Sequence, residues 1–236
     1  MRKKLRAIYS RYIAHKNKPL IASQNDILAT QFLAPLQGEY LPWSNSSIRP
    51  SAMVSVINDV VIGAKQTILE CGGGISSFYI ARALKESGSG MLYTVEDNLE
   101  WAKFLERRLE QEQLADFSKV IYAPLVSSTF NIESSVQGLW YDTNPIKGEL
   151  ADRKIDTLLV DGPGAYTRET RFSRYPAVPF FSQFFSNEYT IFLDDINRPG
   201  EQKIVEKWEE ELSINFDRRL LNGNIAIGRP HSAFKI

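Results

Sequence analysis

The chain alternates short apolar runs with amphipathic helical segments, and this alternation strongly limits the folds open to it. The runs Ile155–Asp161 and Tyr189–Asp194 are predominantly apolar, and each ends in a carboxylate. Such runs are typical of parallel strands that helices cover on both faces. Because strands and helices alternate over most of the 236 residues, we predict an α/β fold with a doubly wound, mostly parallel sheet.

The apolar runs also locate the individual elements. The predicted parallel strands are Gln66–Glu70, Met91–Glu96, Lys119–Ala123, Ile155–Asp161 and Tyr189–Asp194. Helices are predicted from near Pro50, after Gly74, and over Asn98–Leu114, Pro176–Phe185 and Pro199–Leu212. Near the C-terminus, Asn222-Gly223 separates two apolar runs, which is a strong hairpin signal. The sheet is therefore expected to end in an antiparallel hairpin.

The first 49 residues are predicted to form an N-terminal helical cap on a domain at residues 50–236. Residues 1–18 contain seven Lys and Arg and no acid, with apolar residues at helical spacing, and a second short helix is expected around Asp26–Phe32. The basic helix either packs on the more acidic remainder of the chain or makes weak contact with a membrane surface or a partner.

Composition excludes several classes of function. The chain has 28 Lys and Arg against 28 Asp and Glu, so its net charge gives no reason to expect nucleic-acid binding. No apolar run approaches the roughly 18 residues of a transmembrane segment. Cys71 is the only cysteine, which rules out an intrachain disulfide and favours a cytoplasmic protein. Nothing in the sequence predicts the oligomeric state.

A glycine-rich turn follows the first predicted strand and indicates a ligand site. Gly72–Gly74 follows Glu70 with one residue, Cys71, between them, but no Lys-Ser/Thr pair comes next, as a phosphate-binding P-loop would require. A dinucleotide site fits better, because Gly72 and Gly74 nearly match G-x-G-x-x-G. Against it, a carboxylate at Glu70 is expected to repel a pyrophosphate and to attract the ammonium and sulfonium of S-adenosylmethionine. The remaining alternative is a tight turn without a ligand.

The segment Glu70-Cys71-Gly72-Gly73-Gly74 resembles the acid-x-Gly-x-Gly motif of class I S-adenosylmethionine-dependent methyltransferases. The resemblance covers about residues 50–230 and implies a Rossmann-like sheet of strand order 3-2-1-4-5-7-6. It also implies that Glu96 binds the ribose hydroxyls, assisted by Asp97, and that Ala123 lies beside the adenine. The residues expected to bind the cofactor are Glu70, Gly72, Gly73, Gly74, Ser76, Glu96, Asp97, Ala123 and Asp161.

Three acids follow the fourth and fifth predicted strands: Asp161, Asp194 and Asp195. In this respect the chain is similar to magnesium-dependent O-methyltransferases, and the resemblance implies that these acids hold Mg²⁺ against the acceptor hydroxyl. In the alternative interpretation, Asp195 caps the helix that begins near Pro199, and Asp161 orients the cofactor or the substrate.

The general base is not evident from the sequence. The resembled catechol-type enzymes have a basic lysine three residues after the first metal-binding acid, and this chain has Gly164 there. Asp161 and Tyr166 are the candidate catalytic residues, with His231 as an alternative proton acceptor.

A polar loop after the fourth predicted strand carries three arginines expected to bind the acceptor: Arg168, Arg171 and Arg174. Their guanidinium groups suit carboxylates and phosphates, which favours an anionic small molecule or an acidic saccharide. Alternatively, they pair with surface acids such as Glu169.

The segment Tyr40–Ser44 either covers the acceptor pocket or belongs to the core. Three tryptophans are expected to be packing residues: Trp101, Trp140 and Trp208.

Together these features predict a methyltransferase that uses S-adenosylmethionine and acts on a small molecule, at oxygen. Two alternatives remain open at this point. One is an NAD-dependent oxidoreductase of similar topology, and the other is a non-catalytic protein that binds the cofactor.

Overall fold

The computed structural model describes residues 2–41, 43–44, 46–133, 138–151 and 153–231, with the backbone alone for residues 2–17. The helices are α1 Arg2–Leu33, α2 Pro50–Ile62, α3 Ile75–Ser87, α4 Leu99–Gln111, α5 Thr143–Leu150, α6 Ala177–Phe181 and α7 Pro199–Leu212. The strands are β1 Thr67–Cys71, β2 Met91–Glu96, β3 Ser118–Tyr122, β4 Leu125–Ser127, β5 Leu139–Tyr141, β6 Ile155–Val160, β7 Phe185–Leu193, β8 Phe216–Arg219 and β9 Ile225–Gly228.

Seven strands form the central sheet in the order β3-β2-β1-β6-β7-β9-β8, and β4 pairs with β5 in a separate ribbon. Pairing is parallel from β3 to β7, whereas β9 runs antiparallel to both β7 and β8. The predicted doubly wound sheet and its C-terminal hairpin are confirmed. The predicted strand order is confirmed as well, because β6, β7, β8 and β9 are the fourth to seventh strands of this sheet once the separate ribbon of β4 and β5 is left out. The register aligns Cys71 with Val160 and Val160 with Leu193, so the carboxyl ends of β1, β6 and β7 lie level.

The core lies on both faces of this sheet because successive strand residues point to opposite sides. In β1, Ile68 packs with the apolar residues of α2, α3 and α4, whereas Leu69 packs with those of α5, α6 and α7. In β7, Phe192 and Leu193 divide in the same way. Trp208 of α7 is fully buried, as predicted for a packing residue.

The N-terminal region forms one helix, α1, where the sequence had predicted two short helices. Tertiary contacts account for the continuity around the predicted break. The side-chain amide of Asn25 donates to the carbonyl of Leu221 over 2.9 Å, and Ala29 and Leu33 are buried. The role predicted for the basic stretch at residues 1–18 depends almost entirely on side chains that lie outside the described part of the chain.

The segment between β3 and β6 contains β4, β5 and α5, none of which the sequence analysis predicted. The two strands have three residues each, too short for an alternating pattern, and α5 contains Pro145 and Gly148, which are poor helix formers. Trp140, expected to be a packing residue, lies buried in β5. Among the described residues, no helix is both long and apolar enough to cross a membrane.

Candidate active site

Glu70 lies near the carboxyl end of β1, next to the glycine turn. Its side chain is fully buried, and its Oε2 accepts hydrogen bonds from the hydroxyls of Ser77 and Thr94. Ser77 Oγ in turn accepts from the backbone N–H of Gly74 over 3.1 Å. Burial raises the pKa of Glu70 to about 7, against the hydrogen bonds that lower it. Glu70 therefore acts on the turn through Ser77, and its expected direct contact with a cofactor stays a prediction.

Two of the three glycines are required for different reasons. Gly72 has φ +84°, and a Cβ there would lie 2.7 Å from the backbone nitrogen of Gly162. Gly74 has no heavy atom within 4 Å of the position of a Cβ, and it borders a cavity. Gly72 therefore permits the close approach of two backbone segments. Gly74 keeps the cavity wall open.

Glu96 ends β2 and holds the turn from the other side. Its Oε2 accepts from the backbone N–H of Gly73 over 3.1 Å, and its Oε1 accepts from that of Asn98 over 2.9 Å. Burial raises the pKa of Glu96. Asp97 is half-buried beside it. Ala123 is fully buried in the core cluster, and its expected position beside an adenine stays a prediction.

A cavity of about 350 Å³ lies between the turn and the segment before α2. Its lining residues are Leu41, Ser44, Ser46, Ser47, Ile48, Gly73, Gly74, Ile75, Ser76, Phe78, Trp101, Phe104, Leu105 and Asp161. Leu41 and Ser44 belong to the segment that was predicted either to cover the site or to join the core, and they line the cavity. The predicted site residues Gly73, Gly74, Ser76 and Asp161 are brought together here.

Trp101 and Phe104 are site residues that the sequence analysis missed. The indole N–H of Trp101 donates to the carbonyl of Gly73 over 2.8 Å, and the two rings stack with centroids 4.9 Å apart. Trp101 is 37% exposed and borders the cavity, so it is not simply a packing residue. One signal for it exists in the sequence, because an aromatic residue in the first turn of the helix after β2 lies close to the glycine turn.

The three predicted metal-binding acids come together at the ends of β6 and β7. One carboxylate oxygen from each of Asp161, Asp194 and Asp195 lies within 4.8 Å of the others. Asp161 borders the cavity, whereas Asp194 is 4% exposed. Burial, reinforced by the charges of Asp161 and Asp195, raises the pKa of Asp194 well above its ordinary range. Helix α7 receives no side-chain cap at its N-terminus, so Asp195 does not have the alternative capping role.

Arg174 lies within this cluster of acids and not on the loop surface. Its Nη2 lies 3.2 Å from Asp161 Oδ1, and its Nη1 lies 3.3 Å from Asp195 Oδ2. Nη1 also lies 3.8 Å from Glu201 Oε1. The residue is 1% exposed. Arg174 is thus committed to the protein's own carboxylates, which corrects the expectation that it binds the acceptor.

The cluster extends to α7 through Arg198, which the sequence analysis did not identify. Arg198 Nη2 lies 2.8 Å from Asp195 Oδ2, and its Nη1 lies 3.5 Å from Glu201 Oε1. Its guanidinium carbon lies 5.3 Å from the ring centroid of Tyr166. The signal is weak in sequence, since Arg198 and Glu201 are three residues apart at a helix start, a spacing common on surface helices.

The other predicted loop and proton-transfer residues lie outside the cavity. Arg171 pairs with Glu133 over 2.7 Å, so it binds a surface acid, although not the expected Glu169. Arg168 and Tyr166 are exposed. His231 borders a different cavity, together with Asp59 and Lys65, away from the glycine turn. None of these four side chains borders the cavity beside the glycine turn.

The fold and the site together define a class of protein. A seven-stranded sheet with an antiparallel C-terminal hairpin, and an acid-x-Gly-x-Gly turn beside a cavity, are the architecture of class I methyltransferases. Residues 69–196, more than half of the chain, match the family described as a methyltransferase domain. The chain belongs to this methyltransferase family. No curated protein matches it.

Solved structures of similar fold share little sequence with the chain. An O-methyltransferase from Streptomyces achromogenes, TomG, in complex with S-adenosylmethionine, is 14% identical with a TM-score of 0.56 over 89% of this chain and 88% of its own. An O-methyltransferase from Bacillus cereus, in complex with S-adenosylhomocysteine, is 16% identical with a TM-score of 0.54 over 87% and 90%. A methyltransferase from Podospora anserina, bound to S-adenosylhomocysteine, is 14% identical with a TM-score of 0.57 over 94% and 95%. At these identities the likeness concerns the fold.

Proposed function

We propose that the chain transfers a methyl group from S-adenosylmethionine to an oxygen of a small molecule. The observation that carries this proposal is the cavity bordered on one side by Gly73 and Gly74 and on another by the carboxylate of Asp161. When bound, S-adenosylmethionine supplies a methyl group on a sulfonium. The acceptor hydroxyl loses its proton as the carbon–oxygen bond forms, and S-adenosylhomocysteine leaves. The O-methyltransferases of similar fold support oxygen as the acceptor atom.

The residues around the turn suit each part of this cofactor. A carboxylate has about four lone-pair sites, so Glu96, which accepts two backbone hydrogen bonds, retains capacity for ribose hydroxyls. Asp97 assists it. Gly73, Gly74 and Ser76 lie at the start of α3, whose N–H groups suit the cofactor carboxylate. The flat apolar faces of Trp101 and Phe104 suit the adenine ring.

The charge of the cavity wall favours a cationic ligand over a pyrophosphate. Asp161 and the acids behind it place negative charge beside the space that a ligand would fill. Two unit charges at about 4 Å, with an effective dielectric constant of about 20, interact by about 4 kcal/mol, attractive for a sulfonium and repulsive for a phosphate. Asp161 thus takes over the selecting role that the sequence analysis gave to Glu70, and NAD is disfavoured.

For the acceptor we propose a small molecule that enters beside Asp161 and the 162–174 loop. Asp161 is the candidate to accept a hydrogen bond from the acceptor hydroxyl, with the exposed Tyr166 as a second candidate. An anionic or saccharide acceptor is supported only by Arg168 and Arg171, since Arg174 is buried.

We assign residues 50–236 to the catalytic domain and residues 1–49 to a cap, which contributes Leu41 and Ser47 to the cavity. Because Cys71, the single cysteine, is a buried thiol, we place the protein in the cytoplasm.

The test is isothermal calorimetry of the protein with S-adenosylhomocysteine and, separately, with NAD. We expect micromolar binding of S-adenosylhomocysteine and no measurable heat with NAD. A methyl-transfer assay with radiolabelled S-adenosylmethionine and a panel of hydroxylated small molecules then tests the reaction. Binding of NAD alone would favour the oxidoreductase instead.

A further inference from the structure

Building on the proposed function, we propose that the guanidinium of Arg174 is the resident cation of the acidic cluster formed by Asp161, Asp194 and Asp195. It stands among the three acids that, by the resemblance to magnesium-dependent enzymes, were expected to hold a divalent ion. The chain then binds no divalent ion at this cluster, and Arg174 acts as a positioning residue that holds Asp161 at the cavity wall.

The first support is geometric. Arg174 donates to both strand ends at once, from Nη2 to Asp161 Oδ1 over 3.2 Å and from Nη1 to Asp195 Oδ2 over 3.3 Å. A divalent ion bound by these two carboxylates would lie about 2.1 to 2.4 Å from their oxygens. Such an ion would stand next to a guanidinium that already binds one oxygen of each carboxylate, and the two positive charges would repel each other. The residues present therefore do not fit a metal while Arg174 keeps its contacts.

The second support is the way the guanidinium is fixed. Nη1 also donates to the carbonyl of Asp194 over 3.2 Å, and Nε donates to that of Pro163 over 3.4 Å. The side chain is 2% exposed, so it has no free path to solvent. An arginine remains protonated at every pH at which proteins function. The positive charge is therefore a permanent part of this cluster.

The third support is charge. The described cluster contains four carboxylates, Asp161, Asp194, Asp195 and Glu201, and two guanidiniums, Arg174 and Arg198. The two arginines compensate the acids in part. Of these six side chains, Asp161 is the one that borders the cavity. With no divalent ion at the cluster, the carboxylate of Asp161 faces the cavity, where it suits the sulfonium and ammonium of the cofactor.

The experiment titrates Mn²⁺, a stand-in for Mg²⁺ at oxygen ligands, into the full chain and measures bound ion by electron paramagnetic resonance. The variants are Arg174→Met, which removes the charge, and Arg174→Lys, which keeps it. Lys203→Met, which breaks an exposed pair with Glu133, is the control. We expect no Mn²⁺ site tighter than about 1 mM in the wild type, in Arg174→Lys or in the control, and binding at least about tenfold tighter in Arg174→Met. Asp195→Asn in the Met background should remove that gained site.

If Arg174 had a purely structural role, the variants Arg174→Lys and Arg174→Met would not differ in Mn²⁺ affinity in this way. One Mn²⁺ per wild-type chain, bound below 1 mM and lost in Asp195→Asn, would overturn the inference. It would also be overturned if a folded Arg174→Met failed to gain a site. Where circular dichroism shows that the Met variant is unfolded, Arg174→Gln replaces it under the same criteria. S-adenosylhomocysteine affinity, measured on the wild type in EDTA, tests the proposed function separately. A wild type that did not bind S-adenosylhomocysteine would contradict the proposed function and would leave the Mn²⁺ result unaffected.

Discussion

Glu70 and the glycines have different roles in forming the glycine turn. Glu70 accepts hydrogen bonds from the hydroxyls of Ser77 and Thr94, and Ser77 Oγ accepts from the N–H of Gly74. The motif itself was recognisable from the sequence, because its spacing is local. The burial of the Glu70 side chain was not recognisable, because its hydrogen-bond partner Thr94 lies in the neighbouring strand β2. The same limit applies to Arg174, whose partner Asp195 is 21 residues away along the chain.

Substitutions at Gly74 and Gly72 should separate ligand binding from folding. In Gly74→Val the side chain enters open space at the cavity wall, so we expect S-adenosylhomocysteine affinity to fall at least about tenfold with little loss of stability. In Gly72→Val the positive φ and the contact with Gly162 should cost about 2 to 4 kcal/mol of unfolding free energy. Calorimetry and urea denaturation measure the two effects. Unchanged affinity in folded Gly74→Val would contradict this placement of the ligand.

The raised pKa of Glu70 predicts a pH dependence of stability. Its pKa is about 7 in the folded protein and 4.5 ordinarily, so folding favours the neutral acid. The resulting stabilisation is fully present below about pH 4.5 and is lost as the pH rises through about 7. Between pH 5 and 7.5, the wild type should lose about 2 kcal/mol more unfolding free energy than Glu70→Gln. Urea denaturation at both values tests this, with exposed Glu100→Gln as control. Parallel curves for the wild type and Glu70→Gln would show that Glu70 is ionised in the fold.

At the level of elements, the sequence predicted what periodicity and turn chemistry determine. Strands β1, β2, β3, β6 and β7 were predicted because fully covered parallel strands are continuous apolar runs. The hairpin was predicted from Asn222-Gly223 between two apolar runs, and in the structure Gly223 and Asn224 have the positive φ of such a turn. Helix α1 was divided wrongly because its continuity depends on contacts with distant residues, such as that of Asn25 with Leu221.

Asp26 joins α1 to α2 and gives a prediction at this scale. Its Oδ1 accepts from the hydroxyl of Ser51 over 2.6 Å and from the N–H of Ser51 over 3.3 Å, and its Oδ2 pairs with Arg49. It thereby satisfies an N–H in the first turn of α2, because the N-cap residue Arg49 makes no capping side-chain hydrogen bond of its own. Asp26→Ala should lower the unfolding free energy by about 1 to 2 kcal/mol. Ser23→Ala, at an exposed site on the same helix, should change it by less than about 0.5 kcal/mol. Similar denaturation midpoints for the two variants would rule out this capping role.

In the molecule as a whole, the two ends of the sheet carry different functions. The glycine turn, the cavity and the acidic cluster lie at the carboxyl ends of the strands, where ligands bind in open α/β sheets. Toward the other end, Asp59 of α2 accepts hydrogen bonds from the hydroxyls of Thr157 and Thr190, over 3.0 and 2.9 Å. It also pairs with Arg229 over 3.0 Å. This buried acid connects α2, β6, β7 and the segment after β9.

Removing the acid should therefore damage stability and leave ligand binding intact. In Asp59→Ala, two buried hydroxyls lose an acceptor and the guanidinium of Arg229 loses its partner, so we expect a loss of about 2 to 4 kcal/mol in urea denaturation. Asp217→Ala breaks a carboxylate–arginine pair whose acid is 61% exposed, and should cost less than about 1 kcal/mol. At a temperature where both variants are folded, each should bind S-adenosylhomocysteine within about twofold of the wild-type affinity, because neither residue borders the cavity beside the glycine turn. If Asp59→Ala weakened binding tenfold while still folded, the two ends of the sheet would be coupled, and the cavity geometry would depend on the position of α2.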